Sequence, residues 1–321
     1  MARILTGVQS TGTPHLGNLL GAILPAIKMS EDLTNESFFF IADLHSITQV
    51  KNGNELSENS FATAATWLAC GLDPEKTIFF RQSAVSQVTE LAWFLSCFFP
   101  YQRLKLAHSF KDKSALKDVN AGLFSYPMLM ASDILIYDAE LVPVGKDQLQ
   151  HLEITRDVAS RFNNQLGQTF VLPKAKIHEN TQYVIGTDGN KMSKSKNNTI
   201  NVFLPENKLR TQIMSIITDS KTVDEPKNPE QCNLFKIYSV LGDQNQVDTL
   251  HEEYINGGIG YGDTKQALFE LILEKFKLER VKFNYYNEHP EEVEVALAKG
   301  ANKASKIADE VLLRVRRKLG F

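Results

Sequence analysis

The 321-residue sequence predicts an α/β fold: a doubly wound parallel-sheet nucleotide-binding (Rossmann-like) domain, followed by a smaller all-α domain. Three observations predict it. In the first half, short apolar runs alternate with longer stretches of helical periodicity. Those runs are apolar at nearly every position, as in "FFFIADL", so neither face of the sheet is wet and helices must cover both. After about Pro205 the strand-like runs stop and helical periodicity takes over.

Taken in order, "RILTGVQ" reads as the first strand and a helix-like run follows from Gly17 to about Leu33. "FFFIADL" is the second strand. "SENSFATAATWLACGL" is a helix that Ser57 or Asn59 can cap and that Gly71 with Asp73-Pro74 stops. "TIFFRQS" is a third strand and "SQVTELAWFLSCFF" another helix. "FSYPMLMASDILIYDAE" reads as helical after Pro127, "LVPVG" as a short strand, and a helix runs from Asp147 to about Phe162. From about Pro205 to Tyr285 the pattern is helical, broken by "INGGIGYGD". The closing "ANKASKIADEVLLRVRRKLGF" is an amphipathic helix with Ile307, Val311, Leu312 and Val315 on one side, able to pack back on the first domain. The expected division is 1–200, completed by a C-terminal helix at about 290–321, and a helical domain at 201–289. There is no internal repeat or low-complexity tract.

At 43% apolar and 23% charged the composition is that of an ordinary globular protein. No apolar run is long enough for a bilayer, and the first residues lack a charged-then-apolar signal pattern, so a cytoplasmic location is expected. Cys70, Cys97 and Cys232 form no CxxC pair, which argues against a zinc or iron–sulfur site; Cys70 and Cys97 are expected in the core. A net charge of -3 argues against a basic coat for nonspecific nucleic-acid binding, DNA included. A local basic face for one structured RNA remains compatible with it.

Three segments carry candidate chemistry. In "LTGVQSTGTPHLGNLLGA", Pro14, His15, Gly17 and Asn18 fall where a loop becomes a helix. Helix N-termini suit phosphate, a glycine permits close approach, and His15 and Asn18, three apart, project to one side. Neither GxGxxG nor GxxxxGK[ST] is present. A glycine-rich turn with an exposed histidine is the bland alternative. In the middle block Tyr126, Met130, Asp133 and Tyr137, spaced four, three and four, share one helix face. Asp133 sits in half-apolar company, where a carboxylate needs a partner. Asp147 could be a plain helix cap, Lys111 and Lys113 a solvated pair, and His45 an ordinary strand-end residue. Third, "GTDGNKMSKSKNNT" alternates Lys191, Lys194 and Lys196 with Ser193 and Ser195 among glycines and asparagines, and by itself reads as a flexible basic loop.

"TPHLGN" and "KMSKS" together resemble the two signature segments of class I aminoacyl-tRNA synthetases. The first is usually HxGH; here it is His15-Leu16-Gly17-Asn18, a variant similar to the tryptophan branch. "FIADLHSIT", "GLFSYPMLMASDILIYDAELVPVGKDQLQHLEITRDVASRFN" and "GANKASKIADEV" are similar to bacterial tryptophanyl-tRNA synthetases, in the same order and over nearly the whole chain.

This resemblance implies tryptophan–tRNA ligase activity. L-Tryptophan is activated with ATP to tryptophanyl-AMP and pyrophosphate, then transferred to the 3′-terminal adenosine of tRNA(Trp). It implies catalytic roles for Lys191, Lys194, Lys113, His15 and Asn18. It implies ATP contacts from Gln9, Ser10, Thr11, Gly17 and Asn18, from Gly145, Lys146 and Asp147, and from Val184, Lys191, Met192, Ser193, Lys194 and Ser195. The loop glycines would let the lysine segment close and reopen over ATP. An indole N–H is donor-only, and Asp133 fits as its acceptor. Tyr126 and Gln148 match residues that hold the amino group, and Met130 and His45 match pocket positions. Mg2+ is expected with the triphosphate, with no protein-bound metal. The helical domain is the expected anticodon reader, and a homodimer is expected. A tyrosyl-tRNA synthetase is the nearest alternative, with a small adenylyltransferase and a non-catalytic relative behind it.

Overall fold

A computed structural model describes residues 1–106, 120–145, 148–177 and 184–321. Among these residues five parallel strands form one sheet in the order β3-β2-β1-β4-β5. They are β1 (Ala2–Val8), β2 (Asn35–Ile41), β3 (Ile78–Arg81), β4 (Leu141–Val144) and β5 (Lys174–Ile177). The strand order reverses between β1 and β4, and at such a switch point the C-terminal strand ends diverge and leave a crevice. The expected doubly wound parallel sheet is present.

Alternate residues of β2 serve opposite cores, which explains why its sequence shows no polar phase. Phe39 and Ile41 join one apolar cluster with Trp67 and Phe79; Phe38 and Phe40 join the other with Ile78 and Phe80. β5 was not legible as a strand. It reads Lys-Ala-Lys-Ile, and as an edge strand it tolerates alternating lysines that blunt the edge.

Among the described residues, the helices on the first half are α1 (Leu16–Asn18), a π turn at Leu19–Ile23, α2 (Leu24–Ser30), α3 (Asp43–Ser46), α4 (Gly53–Ala69), α5 (Gln87–Phe98), α6 (Tyr101–Leu104), α7 (Ala121–Leu135) and α8 (Leu149–Leu166). Two boundaries differ from the sequence reading. α4 is capped by Asn52, whose side chain accepts from the N–H groups of Asn54 and Glu55, so neither Ser57 nor Asn59 starts it. α7 starts six residues before Pro127: Asn120 caps it by accepting from Leu123 N–H, and the proline rides inside the helix. Cys97 is exposed, and Cys70, at the C-terminal cap of α4, is half-buried at the margin of an apolar cluster, so neither is the fully buried core cysteine expected.

The second half contains α9 (Glu206–Met214), α10 (Asn233–Leu241), α11 (Gln244–Asn256), α12 (Tyr261–Lys275), α13 (Lys277–Glu288) and α14 (Pro290–Leu319). Their buried residues continue the cluster that holds Phe39 and Trp67. α14 returns to the sheet along its β3 edge. Val293 and Leu297 feed one core; Ala301, Ala304, Ala308, Val311, Leu312 and Val315 feed the other. Ile307 is partly buried at its margin. Gly300 makes this approach possible, since a Cβ built there would lie 1.8 Å from the Phe79 carbonyl oxygen. No helix among the described residues is long and apolar enough to cross a membrane.

Candidate active site

β1 ends at Val8, and the chain passes through Gln9, Ser10 and Thr11 before α1 begins. Gln9 is exposed and Thr11 half-buried. Ser10 is buried: its N–H donates to the Ser46 hydroxyl at 2.9 Å, and the two hydroxyls lie 3.2 Å apart. This pins the turn to the segment after β2.

The helix start itself is a reciprocal cap. His15 Nδ1 accepts from Asn18 N–H at 3.3 Å, and Asn18 Oδ1 accepts from His15 N–H at 3.1 Å. His15 is buried, not exposed as the bland reading had it. Burial and the neighbouring Lys194 charge lower its pKa to about 4, so it is neutral at pH 7. Because a backbone N–H can only donate, Nδ1 must be the acceptor, and the ring proton sits on Nε2. His15 therefore offers an Nε2–H donor beside a helix N-terminus. Gly17 lies between the His15 ring and Met192.

The lysine segment is built rather than loose. Ile185 bridges Lys191 in antiparallel fashion, and Met192 N–H donates to Val184 at 3.1 Å. Lys194–Lys196 form a 3-10 turn, and Ser193 and Ser195 hydroxyls lie 2.9 Å apart. Asn198, 1% exposed, is the hub. Its Oδ1 accepts from Ser193 N–H at 2.7 Å, and its Nδ2 donates to Asp188 at 2.6 Å and to the Lys191 carbonyl at 3.2 Å. Bonds from Asn198 and Asn190 hold the Asp188 carboxyl down at about 2. Gly186 lacks a side chain because Asn198 occupies the space: a Cβ there would lie 2.4 Å from it. At that glycine close packing, not freedom to hinge, is what the geometry requires.

The two segments meet. Lys194 Nζ donates to the Gly12 carbonyl at 2.6 Å across 182 residues, and Leu16 N–H donates to the Ile200 carbonyl at 2.7 Å. Burial lowers the Lys194 pKa to about 8. Val184 and Met192 are buried, Ser193 and Lys194 half-buried, and Lys191 and Ser195 exposed. Gly145 stands at the end of β4, on the other side of the strand-order reversal.

A second cluster surrounds Asp133, which is 3% exposed. Burial pushes its carboxyl pKa up, while bonds from His45 and Gln82 oppose the rise. His45 Nε2 lies 2.9 Å from Oδ2, and Gln82 Nε2 lies 2.7 Å from Oδ1 and 2.9 Å from Oδ2. The His45 ring packs edge-on to Tyr126, with centroids 6.1 Å apart, and the Tyr126 hydroxyl meets His151 Nε2. Tyr126, Met130 and Gln148 are half-buried. Tyr137 lies deeper, stacked on Phe38.

So Asp133, His45 and Tyr126 come together, as do His15, Asn18 and Lys194. Lys113 and Lys111, and Lys146 and Asp147, lie outside the described residues. Sequence reasoning missed Gln82, Asp43, His151 and Asn198. His151 follows Gln148, the residue that caps α8, by three, a spacing that could have flagged it. Gln82 and Asp43 gave no local signal.

The family model for class I tRNA synthetases (W and Y) matches residues 1–277. A tryptophan–tRNA ligase from Campylobacter jejuni is 46% identical over 321 residues, covering 99% of this chain and 100% of that one. Another, from Rhodopirellula baltica, is 46% identical over 320 residues, covering 99% of each. The crystal structure of the Campylobacter jejuni tryptophanyl-tRNA synthetase complexed with ADP and tryptophan matches with a TM-score of 0.93, at 46% identity, covering 99% of this chain and 100% of that chain.

Proposed function

The chain belongs to the class I tRNA synthetases of the W and Y group, and from that premise we propose that it is a tryptophan–tRNA ligase. It activates L-tryptophan with ATP and transfers the aminoacyl group to tRNA(Trp). The observation that carries the reading is the Lys194–Gly12 bond, which brings "KMSKS" against the turn before "HLGN".

In the first step the tryptophan carboxylate attacks the α-phosphorus of ATP and pyrophosphate leaves. In the second, a hydroxyl of the terminal adenosine ribose attacks the acyl carbon and AMP leaves. Neither step needs a protein nucleophile; both depend on alignment and on charge placed where the transition state develops it. Lys194 and Lys191 neutralise the departing pyrophosphate. Ser193 and Ser195 donate to phosphate oxygens, and His15 donates through Nε2–H. The turn at Gln9, Ser10 and Thr11, together with Gly17, Asn18, Val184 and Met192, shapes the nucleotide side, with Gly145 across the crevice. Magnesium enters as part of the MgATP substrate. Asp133 accepts the indole N–H; Tyr126 and Gln148 hold the amino group, and Met130 and His45 wall the pocket.

We further propose that residues 201–289 read the anticodon, that 1–200 with 290–321 form the catalytic unit, and that two copies act together in the cytoplasm. ATP–pyrophosphate exchange tests the function. Exchange stimulated by tryptophan at least 10²-fold over tyrosine supports it, because a site that hydrogen-bonds one substrate group rejects analogues lacking it by roughly 10⁴-fold. Equal or greater stimulation by tyrosine would overturn it.

A further inference from the structure

Gln82 belongs to neither signature segment, yet it is 1% exposed and its amide nitrogen reaches both oxygens of Asp133, at 2.7 and 2.9 Å. Its orientation is not free. Gln82 Oε1 accepts from Leu44 N–H at 3.1 Å, and a backbone N–H can only donate, so the amide nitrogen must face Asp133. The loop that carries Gln82 is held in turn by Asp43. That buried carboxylate accepts from Ser83 N–H at 2.9 Å, from the Ser83 hydroxyl, and from Leu44 N–H at 3.0 Å. The end of β3 and the helix after β2 are thus tied together, and the product of that tie is one fixed donor aimed at one carboxylate.

The occupancy of Asp133 follows. Among the described residues, Oδ2 takes both His45 and Gln82, and Oδ1 takes Gln82 alone. An ionised carboxylate offers about four lone-pair positions, so Oδ1 keeps capacity for a further donor. A buried carboxylate with fewer donors would sooner take up a proton, and a protonated oxygen is a poor acceptor.

We infer that Gln82 is a specificity-determining positioning residue for the amino-acid substrate: it holds Asp133 as an acceptor and leaves Oδ1 to receive the side-chain N–H. Gln82 touches Asp133 rather than the reacting atoms. The inference rests on the tryptophan reading above. It assigns selectivity to a pair in which one member gives no signal in the local sequence.

The test compares tryptophan with 3-(benzothiophen-3-yl)alanine, a near-isostere in which sulfur replaces the indole N–H. Pyrophosphate exchange is measured with the full chain, its Gln82→Met variant and its Gln82→Glu variant. Gln82→Met keeps length and removes the donor. Gln82→Glu keeps the bond to Leu44, and so the loop, but sets an acceptor against Asp133; it serves if Gln82→Met does not fold. The ratio of kcat/KM for tryptophan to that for the analogue should fall at least tenfold in either variant, with KM for ATP within twofold of the parent. A merely structural role would depress both substrates together and leave the ratio within twofold, which would overturn the inference while leaving the ligase reading intact. A parent protein without tryptophan-dependent exchange would sink both.

Discussion

Lys194 Nζ lies 2.6 Å from the Gly12 carbonyl oxygen, so the lysine loop is latched to the turn that follows β1. The bond places a cation over the start of α1, where a triphosphate would need it, and where the loop's own hydrogen bonds through Asn198 hold the backbone in place.

In the proposed reaction, replacing Lys194 with alanine removes the charge assigned to the departing pyrophosphate. The expected loss is larger in kcat than in KM for ATP, with kcat down roughly 10²-fold or more, the range for removing one preorganised donor from a developing anion. Steady-state exchange kinetics checks it; an unchanged kcat would leave the Lys194–Gly12 latch a structural contact with no part in catalysis.

Burial lowers the Lys194 pKa to about 8, and with the role proposed for Lys194 the nucleotide step should be pH-dependent. Below that value the amine is charged and can meet phosphate; above it the free enzyme loses the cation. The kcat/KM for ATP should therefore fall as pH rises through about 8. Lys194→Arg should lack this limb, because guanidinium stays charged. A pH profile with the same limb in both proteins would assign it to another group.

His15 makes folding stability depend on pH. Its folded pKa of about 4 lies below the unfolded value near 6.5, so the folded state binds fewer protons between those limits. Stability should decline as pH is lowered through that window. His15→Gln keeps an acceptor for Asn18 N–H without the titration, and should decline less. Urea unfolding at several pH values from 4 to 7 decides it; parallel curves would contradict the buried neutral imidazole.

Asp133→Ala should cost more than tenfold in kcat/KM for tryptophan, over about 1.4 kcal/mol of transition-state stabilisation. The variant also strips His45 and Gln82 of a shared acceptor. Exchange measured at varied tryptophan gives the number, and a loss under tenfold would remove Asp133 from the pocket.

Gly300 and Gly21 make a matched pair for stability. A Cβ at Gly300 meets the Phe79 carbonyl, which is backbone and cannot turn aside; at Gly21 it meets nothing within 4 Å. Gly300→Ala should lower unfolding stability by about 3 kcal/mol, and Gly21→Ala should not lower it. Chemical denaturation of the two variants side by side reads the contrast.

Much of the site was legible in the chain order. His15 and Asn18 cap each other across three residues, and Tyr126, Met130 and Asp133 follow one helix face, so local geometry suffices to group them. The starts of α4 and α7 were not, because Asn52 and Asn120 cap from beyond the apolar pattern, and Pro127 looked like a beginning while sitting inside. β5 hid because an edge strand does not need apolar residues on both faces.

The sequence by itself determined the alternation of strands and helices, the parallel sheet, the two signature segments and a carboxylate in apolar company. Those properties depend on neighbours within about four residues, or on runs whose hydrophobicity reports burial. Only the tertiary structure decided that Lys194 reaches Gly12, that α14 seals the β3 edge with Gly300 against Phe79, and that Gln82 and His45, 51 and 88 residues from Asp133, become its partners. Such contacts follow from which strands lie side by side and where their ends meet, and no local periodicity encodes that arrangement.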